Sequence, residues 1–355
     1  MSKPPEVNVP ITIGDVTVEP GRRQRFELPV SRLPTGSWAS LPIAVVNGRR
    51  PGPTVWLSGA VHGDEINGVE IVRRVLRQLE PRSLRGAVIA VPIVNVFGFL
   101  IESRYLPDRR DLNRSFPGSE RGSLAARLAH LFMTEVVGHA SVGIDLHTAA
   151  GHRTNVPQVR GDLEDPETLR LARAFGAPFL IHAKLRDGSL REAATSQGRR
   201  VLLYEAGQVH RFDEDAISVG TDGVLRTLAA LGMGSWDVPE AADPIAVERT
   251  RWVRTRRAGI ATIDVALGQH VVRGELLGTV SDAFGSRPTK VTAPMDGWVI
   301  ARTLSPLVSQ GDAFAHIAAG ASPLVPDPTK TRLRKVREES AEGRVRARRG
   351  PELDR

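Results

Sequence analysis

His62, Gly63, Asp64 and Glu65 follow the apolar run 54–61 and precede a helix-like segment, 67–79. That order puts an imidazole and a carboxylate at a strand end, where α/β sheets hold ligands. A His and a Glu three residues apart can share one zinc ion and leave room for a third protein ligand and a water. Alone the spacing is weak, because an ordinary polar turn has the same composition.

A third donor has to come from another strand of the same sheet, and His147 supplies it at the end of the apolar run 142–146. Asp145, two residues earlier, points to the same side of an ideal strand, where it can orient a ligand or pair with a basic neighbour. A lone His is more often a hydrogen-bonded core residue than a ligand. Two histidines at equivalent strand ends reverse that preference. Zinc chemistry then needs a proton acceptor, and the run 201–204 ends in Glu205. A Glu there faces the same crevice and can take a proton from water and pass it to a leaving amine; capping the next helix or an ordinary salt bridge is the alternative.

Residues 104–118 hold four arginines beside this proposed site. Asn113 and Arg114 form a pair able to grip a carboxylate, and a further Arg can steady a tetrahedral oxyanion, which points to an anionic substrate. The competing reading is a solvated charge run in which Asp108 and Asp111 pair the arginines. Arg160, in the loop region 152–161, is either a second anion contact or a surface group.

The elements that must position these residues alternate. Strands are expected at 25–30 and 40–46, the latter ending in the turn signal Asn47-Gly48. Strand 54–61, helix 67–79, strand 87–95, a polar loop 102–122, helix 123–137 and strand 142–146 follow. Further strands are expected at 157–159, 179–181 and 201–204, with helices at 166–175, 190–197 and 215–231. Such alternation predicts an α/β fold with a mixed, largely parallel sheet flanked by helices. Residues 1–235 read as the catalytic domain with an N-terminal β extension, and the Pro-containing segment 236–246 as a linker. Residues 247–320, punctuated by glycines, read as a smaller all-β barrel or sandwich that shapes or covers the site.

Composition excludes several classes. The 355-residue chain contains no Cys, so thiol catalysis, disulfides and Cys-type zinc sites are ruled out. Its net charge of +8 does not imply a nucleic-acid partner, because residues 329–355 carry ten Lys/Arg against five Asp/Glu. The segment 321–355 reads as a basic, disordered, solubilising tail, with weak binding to acidic surfaces the minority reading. The N-terminal residues lack a signal-like apolar stretch and the run 87–94 is too short for a bilayer, so no membrane association and a cytoplasmic location are expected. Self-association is left open.

His62-Gly63-Asp64-Glu65, Asp111-Leu112-Asn113-Arg114, Asp145-Leu146-His147 and Glu205-Ala206-Gly207, in this order, resemble the succinylglutamate desuccinylase/aspartoacylase family. That family belongs to the zinc-carboxypeptidase-like superfamily, and the similarity covers roughly residues 40–320. The resemblance implies one zinc ion per chain on His62, Glu65 and His147, with Glu205 as general base and Asn113 and Arg114 as the carboxylate grip. It assigns the oxyanion role to Arg104, followed by Tyr105, with Arg109 as runner-up. The expected activity is removal of an acyl group, by zinc-activated water, from a small anionic N-acyl amino acid or a similar small carboxylate-bearing amide. A metallocarboxypeptidase and a non-catalytic zinc protein are the alternatives.

Overall fold

The computed structural model describes residues 7–321. It begins with β1 (Ile11–Ile13), β2 (Val16–Val18), β3 (Arg22–Arg32), β4 (Trp38–Asn47) and β5 (Arg50–Gly59). Then come α1 (Asn67–Gln78), β6 (Arg85–Val91), α2 (Val96–Leu100), α3 (Leu124–Glu135), β7 (Val142–His147) and β8 (Arg153–Gly161). The next elements are α4 (Pro166–Phe175), β9 (Phe179–His182), α5 (Leu190–Ser196), β10 (Arg200–Gly207) and α6 (Glu214–Ala230). The C-terminal strands are β11 (Ile245–Arg254), β12 (Gly259–Ile263), β13 (His270–Val271), β14 (Leu276–Ser281), β15 (Thr289–Thr292), β16 (Gly297–Thr303), β17 (Leu307–Val308) and β18 (Ala313–Ala321).

The helices form where apolar residues recur at helical spacing, and α2 to α6 also start behind a capping side chain. In α1, Ile71, Val72, Val75 and Leu76 make one buried stripe. In α3, Ser123 caps the start by accepting from the Ala126 N–H at 3.2 Å, and Leu128, Phe132 and Met133 are buried. Strand residues alternate between two cores. Val55 and Leu57 of β5 join the core built with α1, α4 and α6, whereas Trp56 joins the one built with α3 and α5.

Twelve strands share one sheet in the order β13-β16-β18-β11-β9-β8-β10-β7-β5-β6-β4-β3. Parallel pairing joins β11 to β9, β9 to β8, β10 to β7, and β5 to both β7 and β6. The expected largely parallel sheet is therefore corrected: the fold is mixed α/β, and the sheet's other pairings, including β10 with β8, are antiparallel. The Asn47-Gly48 turn makes no hairpin, because β6 lies between β4 and β5. Strand β16 also pairs with β8, which closes β8, β9, β11, β18 and β16 into a ring around Val156, Phe179, Ile181, Ile300 and Ala318.

The C-terminal strands thus divide. Four extend the main sheet, and the other four form a second sheet in the order β15-β14-β12-β17. The segment read as a linker is pinned, with Trp236 and Val238 against the main core and Trp236 Nε1 donating to the Gln78 carbonyl at 3.1 Å. Apart from Ala321, the segment read as a basic tail lies outside the described residues. Among those residues no helix is long and apolar enough to cross a membrane.

Candidate metal centre

Three adjacent strand ends build the site. Strands β5, β7 and β10 lie side by side and run parallel, with Ser58 opposite Asp145 and His147 opposite Glu205. Strand β5 stops at Gly59, earlier than expected, and Ala60 takes a φ of 46°. The chain turns there so that His62 and Glu65 stand beyond the strand end and before α1. Gly63 permits this turn, because a Cβ on it would lie 2.1 Å from the Gly98 carbonyl carbon in α2. Helix α2 is not among the expected elements; it is five residues long, and its approach is what demands a glycine at 63.

His62, Glu65 and His147 are 4%, 2% and 4% exposed, and each offers a donor atom within 4.8 Å of the others. Glu65 Oε1 is 2.7 Å from His62 Nδ1, and Glu65 Oε2 is 2.8 Å from His147 Nδ1. The Thr148 N–H also donates to Glu65 Oε2, at 3.1 Å. Each imidazole has a second carboxylate behind it. Asp111 Oδ1 is 3.2 Å from His62 Nε2, and Asp145 Oδ2 is 2.8 Å from His147 Nε2. Asp145 is held by Ser58, whose hydroxyl donates to its Oδ1 at 2.8 Å.

These contacts set the charge states. Burial works against the Glu65 carboxylate, but the charges and hydrogen bonds of His62 and His147 hold its pKa well below the usual range. Burial likewise disfavours charge on His147, yet Asp145 and Glu65 raise its pKa well above the ordinary value. For His62, the charge of Glu65 and the hydrogen bonds to Asp111 and Glu65 outweigh burial and raise the pKa. The two Nδ1 atoms converge on one carboxylate while the outer nitrogens are already committed. A zinc ion would take those inner lone pairs in place of protons. Two imidazoles and a carboxylate are the nitrogen and oxygen donors zinc accepts, so the residues present fit it.

The arginines are sorted by the fold. Arg104 reaches the cluster, donating from Nη1 to Glu65 Oε1 at 3.4 Å and from Nε and Nη2 to Asp111 Oδ2 at 3.2 and 3.0 Å. Arg109 stays exposed in a turn with a φ of 61° and has no polar side-chain contact with the cluster among the described residues. Asn113 and Arg114 sit on a short 3₁₀ turn, Leu112–Arg114, opened by Asp111 accepting from the Asn113 N–H at 2.9 Å. Asn113 Oδ1 accepts the Leu190 N–H of α5 at 2.9 Å, which leaves its amide NH₂ available. Asp111 therefore does pair an arginine, as the charge-run reading holds, and it also orients His62.

Glu205 stands on β10 with both of its contacts on Oε2: Asn155 Nδ2 donates at 2.9 Å, and Arg160 Nη2 lies 3.6 Å away. Oε1 is left available. Asn155 escapes the sequence reading because strand β8 is expected there only at 157–159; a bulge lets Asn155 reach the carboxylate fifty positions away. Asp111 belongs to the Asp-Leu-Asn-Arg motif, but its role depends on the long-range contact with His62.

Known proteins of one family are similar to this chain in sequence and fold. A family model described as the succinylglutamate desuccinylase/aspartoacylase catalytic domain matches residues 51–231. The N-alpha-acetyl-L-2,4-diaminobutyric acid deacetylase of Halomonas elongata is 29% identical over 309 residues, covering 82% of this chain and 90% of the relative. The succinylglutamate desuccinylase of Burkholderia lata is 28% identical over 210 residues, covering 52% of this chain and 58% of the relative. A crystal structure of a succinylglutamate desuccinylase/aspartoacylase from Rhodobacter sphaeroides superposes with a TM-score of 0.77 at 29% identity, covering 86% of this chain and 98% of that one. The matched segment runs from the start of β5 through α6 and so contains the cluster, the arginine turn and Glu205, which makes the chain a member of the succinylglutamate desuccinylase/aspartoacylase family.

Proposed function

We propose that this protein is a zinc-dependent hydrolase that removes an acyl group from an N-acyl amino acid. The observation that carries the reading is the buried cluster of His62, Glu65 and His147 with Glu205 in register beside His147 on the next strand. The deacylase activities named for its relatives support the same reaction class.

When bound, zinc supplies a Lewis acid that polarises a carbonyl and makes a water more acidic. Glu205 takes a proton from the attacking water through Oε1 and delivers it to the leaving amine, while Asn155 fixes the carboxylate through Oε2. Arg104, held beside the cluster by Asp111, places positive charge where the oxyanion develops. Asn113 and Arg114 hold the substrate carboxylate, the former through the amide NH₂ that α5 leaves unused.

The test joins metal analysis to a substrate panel. The purified protein should contain one zinc per chain and hydrolyse at least one of the N-acetyl, N-succinyl or N-formyl amino acids offered beside short peptides. Cleavage of the peptides alone would turn the reading into a carboxypeptidase. Glu205→Gln should keep its zinc and lose about 100-fold in kcat, the usual scale for a general acid–base group. Near-normal turnover by that variant would remove Glu205 from the mechanism.

A further inference from the structure

Asn113 and Arg114 do not hold their positions alone. The segment 183–189, which joins β9 to α5, lies against them as a strap. Its last residues make a tight turn, with the Ser189 N–H donating to the Arg186 carbonyl at 3.0 Å. Gly188 in that turn has a φ of 72°, and a Cβ on it would lie 2.7 Å from the Arg114 carbonyl oxygen, so the strap abuts the Arg114 backbone directly. The Phe116 N–H donates to the Gly188 carbonyl at 3.0 Å, and the Leu190 N–H that follows the strap donates to Asn113 Oδ1 at 2.9 Å.

Arg191, in the first turn of α5, staples this strap from the inside. It is 6% exposed and donates from Nη1 to the Ala183 carbonyl at 2.9 Å and from Nη2 to the Lys184 carbonyl at 2.6 Å, so one guanidinium ties the start of the strap to its end. Burying a charge against neutral acceptors alone is costly, and burial lowers the Arg191 pKa. Between the tied ends, Lys184, Leu185, Arg186 and Asp187 are exposed. The arginine ion pairs of this region are made by Arg104, Arg110, Arg160 and Arg200, and among the described residues Arg114, Arg186 and Arg191 make none. Burial, together with the charges of Arg186 and Arg104, outweighs Asp111 and lowers the pKa of Arg114. Neighbouring guanidiniums that repel, with no protein carboxylate paired to either, both gain when an anion enters.

We infer that the strap is part of the substrate site: Arg186 is a third donor to the carboxylate that Asn113 and Arg114 grip, and Arg191 is the positioning residue that holds strap and grip together. This rests on the deacylase reading above. The strap selects for the carboxylate of the amino acid itself. A neutral carboxamide in its place leaves Arg114 and Arg186 repelling each other, and a site built for a charged partner rejects the analogue that lacks it.

Calorimetry on the zinc-loaded protein compares L-alanine with L-alaninamide, probes that differ only in the carboxylate and need no turnover. The unmodified protein should bind L-alanine about tenfold or more tightly. Arg186→Gln should weaken L-alanine about tenfold, the scale of a hydrogen bond to a charged group, and leave L-alaninamide unchanged. Arg191→Met keeps the bulk but loses the staple and should also weaken L-alanine selectively; Arg191→Lys, which can reach one of the two carbonyls, should recover part of the loss. Trypsin gives a second readout on the unmodified protein: saturating L-alanine should slow cleavage after Lys184 and Arg186, and L-alaninamide should not. An unchanged preference for L-alanine in Arg186→Gln would overturn the inference, and because Arg186 is exposed that variant decides the matter even where Arg191→Met does not fold. Equal binding of the two probes by the unmodified protein would overturn it as well, and equal weakening of both by Arg191→Met or Arg191→Lys would remove the positioning role. Turnover of an N-acyl amino acid with no effect of Arg186→Gln on the preference sinks the strap alone, whereas the expected losses without turnover of any N-acyl amino acid sink the deacylase reading alone.

Discussion

Asp145→Asn should weaken zinc binding about tenfold or more while leaving the fold intact. Asp145 is wholly buried and joins two partners at 2.8 Å each, His147 Nε2 and the Ser58 hydroxyl. Asn has nearly the same shape, so the acceptor facing His147 can be kept and no cavity opens. What disappears is the negative charge. Hydrogen bonds involving a charged group are worth about 1.5–3 kcal/mol, and with a neutral acceptor remaining the loss belongs at the lower end, about 1.5 kcal/mol, or roughly tenfold. Groups that orient a metal-bound His from behind have measured effects of about 10–100-fold, which brackets the same figure. One effect opposes it: Asp145 also strengthens the hold of His147 on a proton, which competes with the metal. The ion carries twice the proton's charge, so losing the carboxylate hurts the metal more. Competition against a chromophoric chelator near pH 8 measures the affinity, and thermal melts of the metal-free forms check the fold. Unchanged or tighter zinc binding would refute the view that the carboxylate behind His147 tunes this centre.

Three other outcomes follow from the same structure. Arg104→Gln should cut kcat by about 100-fold or more, the scale of a lost oxyanion donor, whereas Arg109→Ala should change it less than about twofold; comparable losses would undo the assignment. Gly63→Ala should destabilise the protein by about 3 kcal/mol or more, because the new methyl would meet the α2 backbone at 2.1 Å and backbone cannot yield as a flexible side chain does; an unchanged melting temperature would contradict this packing. His316 has its pKa pushed down to about 3 by burial and Arg160, so the unfolded chain takes up the proton first as pH falls. Its contribution to stability is therefore complete above about pH 6.5 and declines towards pH 3, by up to about 1.4 kcal/mol per pH unit. His316→Phe, which keeps a ring on Trp252, should flatten the stability profile between pH 6.5 and 4.5 measured by urea unfolding, and parallel profiles would count against it.

The candidate metal cluster is legible in the sequence because its parts are local or repeated. His62 and Glu65 are three residues apart, and His147 and Glu205 each end an apolar run that follows a helical segment. Right-handed βαβ crossovers place such ends on one edge of a sheet, so three strand-end residues meet even though 143 positions separate the first from the last. Helix α4 has the expected bounds, set by Asp165 and Pro166 at its start and Gly176 at its end. Each of these signals lies within a few residues along the chain.

Other features depend on which strand pairs with which, and local sequence does not encode that. The sequence predicts three residues for β8, which spans nine, and only its antiparallel bulged pairing with β10 brings Asn155 and Arg160 to Glu205. The ring closed by β16 and β8 joins residues more than 140 positions apart and ties four of the C-terminal strands into the main sheet. Arg104 and Arg109 look alike in a segment holding four arginines, and the contact of Asp111 with both His62 and Arg104 selects between them. Residue types and their order along alternating strands and helices determined the candidate donor set, the proposed base and the reaction class they suit. Strand register and the close approach of distant backbone decided which carboxylate orients which imidazole and which arginine reaches the cluster, because hydrogen bonds and charges act over a few ångströms of space whatever the separation in sequence.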